Sequence, residues 1–108
     1  MSGDGSRGLV VLALAGLMAG ADASAAPATH TIVIERMAFV PAQLTVHPGD
    51  RVVWVNRDPF PHTATAARGF DSGPVAPDRS WSWRAGAAGE WEYVCTLHPT
   101  MKGKVVVQ

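Results

Sequence analysis

The sequence has a single cysteine, so it forms no intrachain disulfide and no metal site made of thiolates alone. It has no excess of charge either. Nine basic and nine acidic side chains leave a formal net charge of +0 at pH 7. With no Lys/Arg run as well, a nucleic-acid binder that neutralises many phosphates is excluded. The longest uncharged apolar stretch, Gly8–Gly20, is 13 residues, short of the roughly 20 that span a bilayer. There is no heptad array, collagen period, solenoid-length repeat or long polar tract. No phosphate loop, paired-carboxylate system or Ser/His/Asp arrangement can be inferred, so nothing points to an enzyme.

What is present begins with an export leader. Arg7 and the amino terminus give a thin positive region, the apolar Gly8–Gly20 follows, and ADASAA offers small residues for signal peptidase. Residues 1–25 are expected to be a cleaved signal peptide, cut after Ala23-Ser24-Ala25. Cutting after Ala26 would leave Pro27 behind the scissile bond. The lone Arg gives no twin-arginine signal, and no Cys near the cut offers a lipid anchor. The expected product is exported to the periplasm or another extracytoplasmic space, with no membrane span after cleavage. Residues 26–108 then form one domain with eight basic and seven acidic side chains. A domain this small often carries a staple, and without a disulfide that role falls to a metal or to very good packing.

Eight prolines and frequent glycines cut this region into pieces too short for typical helices. Strands are expected over His30–Met37, Gln43–Val46, Asp50–Asn56, His62–Ala66, Ser80–Ala85, Glu90–Cys95 and Lys102–Gln108. Period-2 alternation puts Ile32 and Ile34 on one face, Trp81 and Trp83 on another, and Trp91, Tyr93 and Cys95 on a third. His47-Pro48-Gly49-Asp50 is a turn signal, and Gly69–Pro77 and Ala85–Gly89 read as loops. About seven or eight short strands with regular turns predict an all-β fold, a Greek-key β-sandwich or small barrel.

The segment richest in chemistry is Cys95-Thr96-Leu97-His98-Pro99-Thr100-Met101. A thiolate, an imidazole and a thioether recur at three-residue spacing between two predicted strands, so one hairpin loop can turn all three onto one ion. Cys95 shares a face with Trp91 and Tyr93, which aims its sulfur inward. A second histidine would complete the set. His62, after the rigid Pro59-Phe60-Pro61, suits an oriented ligand; His30 lies near the start of the domain and His47 in a turn. Two His and one Cys with a weak axial Met make the trigonal site of blue-copper electron-transfer proteins. Soft ligands suit Cu(I) and nitrogen suits Cu(II), so a fixed compromise lets the ion change valence with little rearrangement. Every strong position is filled by protein, which opposes catalysis by a metal-bound water.

Plainer readings compete. Cys95 could be a buried thiol and Met101 a core filler. His30 and His47 read as solvated surface histidines. Trp54, Trp81, Trp83 and Trp91 read as core, and Glu90, Glu92 and Asp50 as strand-edge and turn charges.

At these residues the chain resembles the cupredoxins, the type 1 blue copper proteins, over about Thr31 to Gln108. The Cys–two–His–two–Met loop is similar to that of amicyanin and shorter than those of plastocyanin, pseudoazurin and azurin. Asn56 stands six residues before His62 in VWVNRDPFPH, Pro99 follows the loop histidine, and the ending MKGKVVV is also amicyanin-like. Two features depart: Leu97 stands where the amicyanin loop usually has proline, and the His62-to-Cys95 stretch is shorter. The resemblance implies one copper, with His62, Cys95 and His98 as strong ligands and Met101 as the long axial one. It implies that Asn56 ties the two ligand loops together by hydrogen bonds to Thr96. The edge of His98 becomes the electron port, inside a docking rim of Phe60, Pro61, Leu97 and Pro99. It also implies that His98 protonates and leaves Cu(I) at mildly acidic pH. The function implied is a periplasmic carrier of single electrons between a redox protein donor and acceptor (dehydrogenase, cytochrome or oxidase), working as a monomer. The rival is a copper-delivery module that hands over the ion itself.

Overall fold

The structure, a computed structural model, describes residues 26–108. The leader expected over 1–25 lies outside the described residues. Nine strands follow in order: β1 Thr29–Glu35, β2 Ala38–Val40, β3 Gln43–Val46, β4 Arg51–Asn56, β5 Thr65–Ala66, β6 Phe70–Asp71, β7 Ser80–Arg84, β8 Gly89–Cys95 and β9 His98–Val107. They form two sheets, β2-β1-β4-β7 and β3-β9-β8-β5-β6. Pairs β1/β4 and β3/β9 are parallel, and the other pairings are antiparallel. This is the all-β sandwich expected from the sequence.

Period-2 alternation builds the interior. Ile32 and Ile34 of β1, Val52 and Trp54 of β4, Tyr93 and Cys95 of β8, and Met101, Val105 and Val107 of β9 all bury their side chains between the sheets. Trp54 is the hub. Its ring packs against Phe70 at 5.2 Å, Tyr93 at 5.4 Å and Trp81 at 5.6 Å between centroids. Each fully buried side chain of this size contributes roughly 1.5–3 kcal/mol relative to exposure. Trp81, Trp83 and Trp91 are only partly buried against that cluster. Two polar atoms in it, Trp54 Nε1 and the Tyr93 hydroxyl, have no hydrogen-bond partner among the described residues.

The turn at His47-Pro48-Gly49-Asp50 forms as expected. The Asp50 amide donates to the His47 carbonyl at 3.0 Å, and Gly49 takes φ 92°, the positive φ that glycine supplies at the third position of a type II turn.

Four expectations are corrected. His62–Ala66 is not one strand: only Thr65–Ala66 pairs in the sheet, while His62 bridges to Val75. The stretch Gly69–Pro77 is not all loop, because Phe70–Asp71 pairs with Thr65–Ala66. Asp50 is not a solvated turn charge; it is buried. It accepts from the amides of Ala28 and His47, each at 3.0 Å. His30 is not freely solvated, since its Nε2 lies 2.9 Å from Asp50 Oδ2. For Asp50, two backbone donors and a ring nitrogen, hidden from the linear sequence, supply the polar partners that burial demands.

Candidate metal centre

The site forms where the ends of three strands meet. Strand β8 carries Cys95 to its last position, and Thr96-Leu97 turns the chain so that Cys95 pairs with His98 at the start of β9. The ladder then jumps from Cys95↔His98 to Val94↔Lys102, leaving Pro99-Thr100-Met101 as extra residues on β9. A bulge of this kind re-aims side chains beside a site. Met101, buried at 3% exposure, turns into the core from it.

His62 comes from the other direction, out of the segment after β4. Asn56, the last residue of β4, organises that segment. Its Oδ1 accepts the Asp58 amide at 2.8 Å, and its Nδ2 donates to the carbonyls of Phe60 at 2.8 Å and Val75 at 2.9 Å. A side-chain carbonyl bonded to a backbone two residues on makes a rigid local turn. The His62 backbone then exchanges two hydrogen bonds with Val75, at 2.7 and 3.2 Å.

These elements bring three of the expected side chains together. Cys95 Sγ lies 3.6 Å from His62 Nδ1 and 3.7 Å from His98 Nδ1. The three donor atoms all fall within 4.8 Å of one another. With metal–nitrogen bonds of about 2.0–2.1 Å and metal–sulfur bonds of about 2.3 Å, a sulfur and a nitrogen donor stand about 3.5–3.8 Å apart around one ion. The residues therefore fit a metal. Among the described residues, they are the one group of three or more His, Cys, Asp or Glu side chains with donors so converged. A thiolate, two imidazoles and a thioether are a copper set rather than a calcium or magnesium set. His62, Cys95, His98 and Met101 make the type 1 copper pattern.

Burial is graded across the site. His62 and Cys95 are fully buried, and His98 is half-buried. Phe60 and Leu97 stand 45% and 50% exposed around it, with Pro61 and Pro99 also exposed. The Phe60 ring lies 5.9 Å from His62 and 6.1 Å from His98.

The hydrogen bond expected between Asn56 and Thr96 does not form. Asn56 spends its amide on Phe60 and Val75, and Thr63 joins the two ligand segments instead. The Thr96 amide donates to Thr63 Oγ1 at 2.8 Å, and the two hydroxyls lie 3.1 Å apart. The Thr63 amide also points at Cys95 Sγ, 3.3 Å away. Sequence reasoning passed over Thr63, although it directly follows His62.

Asp58 was passed over too. Its Oδ2 lies 2.8 Å from His62 Nε2, and its oxygens accept the amides of Arg36 at 2.7 Å and Met37 at 3.0 Å. Burial alone would raise its pKa. The Met37 amide, the His62 ring and the Arg36 amide outweigh that and hold the carboxyl below its ordinary value. Its place four residues before His62 was the one available signal.

The cupredoxin-like domain family matches residues 8–107. The chain belongs to this family. Among cupredoxins, it is 33% identical over 89 residues to amicyanin of Paracoccus versutus, covering 76% of this chain and 67% of that one. It is 36% identical over 94 residues to amicyanin-alpha of Methylorubrum extorquens, covering 77% and 76%. Chloroplastic plastocyanin of Tetradesmus obliquus is 33% identical over 90 residues, covering 67% and 59%. A solved Cu(I) form of an amicyanin variant superposes with a TM-score of 0.72 at 32% identity, covering 80% of this chain and 88% of that one. The cupredoxin fold and the copper pattern therefore rest on sequence and structure alike.

Proposed function

We propose that this cupredoxin carries single electrons outside the cytoplasm, using one copper that His62, Cys95, His98 and Met101 would hold. Bound copper supplies a one-electron Cu(II)/Cu(I) couple. The observation that carries the reading is the convergence of two imidazole nitrogens and one sulfur within 4.8 Å. The chain's task is to hold that geometry fixed. Asn56 fixes the segment that bears His62, and Thr96, through Thr63, ties it to the segment that bears Cys95. Full burial of His62 and Cys95 keeps water away from both.

His98 is the half-buried member of the set, so its ring edge offers the nearest approach for a partner. Phe60, Pro61, Leu97 and Pro99 form an apolar docking rim around that edge. The partners are redox proteins, a donor and an acceptor of the dehydrogenase, cytochrome or oxidase kind, met by a monomer. Three strong donors and a thioether leave no position for a substrate, which supports a carrier rather than an enzyme. The leader expected over residues 1–25 supports export to the periplasm.

The test is kinetic. Electron self-exchange faster than copper exchange with a metal-free acceptor supports the carrier. Ready transfer of copper to that acceptor, with slow self-exchange, contradicts it and supports delivery of the ion.

A further inference from the structure

We propose that Asp58 is a positioning residue that holds the His62 imidazole in one tautomer and orientation and so favours Cu(II) over Cu(I); this rests on the copper reading above. The geometry is specific. His62 is fully buried, and its two ring nitrogens face two different groups. Nδ1 faces Cys95 Sγ at 3.6 Å, while Nε2 faces Asp58 Oδ2 at 2.8 Å. A carboxylate oxygen only accepts, so the proton belongs on Nε2 and the lone pair on Nδ1. The ring is thus prepared as a donor before any ion arrives.

Asp58 is itself fixed from three sides. The Arg36 and Met37 amides donate to its carboxylate, and its own amide donates to Asn56 Oδ1. Both Arg36 and Met37 take positive φ, 53° and 60°, in the turn between β1 and β2. That conformation lets the two successive amides converge on one carboxylate. The ligand is therefore braced against the β1–β2 turn, in the opposite sheet from the one that bears Cys95 and His98. A hydrogen-bonded carboxylate raises the basicity of the imidazole's other nitrogen, and outer partners of this kind are worth about 10–100-fold in metal affinity. The added electron density stabilises the higher charge more.

The test compares Asp58→Asn and Asp58→Glu with the parent protein. In Asp58→Asn, Cu(II) affinity is expected to fall about 10–100-fold and Cu(I) affinity less. Each tenfold difference between the two losses raises the reduction potential by about 59 mV. Asp58→Glu, which keeps the carboxylate, is expected to return part of the shift. A folded Asp58→Asn protein with the parent's potential and affinity ratio overturns the proposal. If that variant does not fold, nitrogen NMR of the metal-free parent protein decides: His62 protonated at Nε2 supports the proposal, and protonation at Nδ1 overturns it. A parent protein that binds no copper sinks the proposed function, while the tautomer result still reads Asp58 alone.

Discussion

Strand β4 has a buried aspartate just beyond each end, and the two make nearly the same contacts. Asp50 gathers the amides of Ala28 and His47 and lies 2.9 Å from His30 Nε2. Asp58 gathers the amides of Arg36 and Met37 and lies 2.8 Å from His62 Nε2. Strand rise over β4 separates the two ends by roughly 20 Å. What differs is the other side of each imidazole. His62 turns its second nitrogen toward a cysteine and a second histidine, whereas among the described residues His30 belongs to no such cluster. A carboxylate–histidine pair is thus a structural clasp at one pole and part of a metal centre at the other. Burial follows the same division, with His62 fully buried and the His30 side chain 27% exposed.

Changing one pole at a time sharpens the contrast. The largest effect is expected from Cys95→Ser, which removes the thiolate that distinguishes the metal pole. The copper(II) protein loses its intense visible absorption, while circular dichroism still reports the β-sandwich. Met101→Gln is expected to do less: the colour persists with a shifted maximum. Equal collapse in both variants would make Met101 a strong ligand and the assigned geometry wrong.

At the other pole, Asp50→Asn is expected to leave the copper spectrum unchanged and alter acid stability. The amide of His47, the His30 ring and the Ala28 amide hold the Asp50 carboxyl down at about 2, against an ordinary value of 3.8. A lowered carboxyl contributes stability that is fully present above pH 3.8 and is lost as pH falls through about 2. Acid unfolding followed by fluorescence is therefore expected to lose that part of its slope in the variant. An altered copper spectrum would mean that the two poles are coupled.

The smallest effect is expected between the poles. Tyr93 is the only tyrosine, and its buried hydroxyl has no partner among the described residues. Burial pushes the phenol up to about 12, with a smaller opposing pull from the Trp54 indole, although the two groups do not meet in hydrogen-bond geometry. An unpaired buried hydroxyl costs about 1–3 kcal/mol. Tyr93→Phe is therefore expected to leave urea stability at pH 7 unchanged or higher by up to about 1 kcal/mol. A raised phenol contributes stability that is present below pH 10 and lost as pH rises through about 12. The variant is expected to lack that alkaline decline.

The poles also mark how far the sequence could be read. Alternation revealed the faces of β1, β7 and β8, because each of these strands carries apolar side chains at every second position. The loop Cys95–Met101 was legible because three donor types recur in seven residues. His62 was legible through its proline-flanked setting. Partners were not. Asn56 stood out as a loop tie, but its bonds go to the carbonyls of Phe60 and Val75, and carbonyls leave no trace in residue identity. Thr63 and Asp58 flank the same ligand, yet which side chain turns inward depends on segments far away in the chain. Short pairings such as β5/β6, two residues each, fall below what periodicity detects.

The most direct measurement is the visible and EPR spectrum of the purified domain loaded with Cu(II). Intense blue absorption from sulfur-to-copper charge transfer is expected, with the small copper hyperfine splitting of a thiolate-containing trigonal site. A colourless complex with the wide splitting of a tetragonal nitrogen–oxygen site would contradict it.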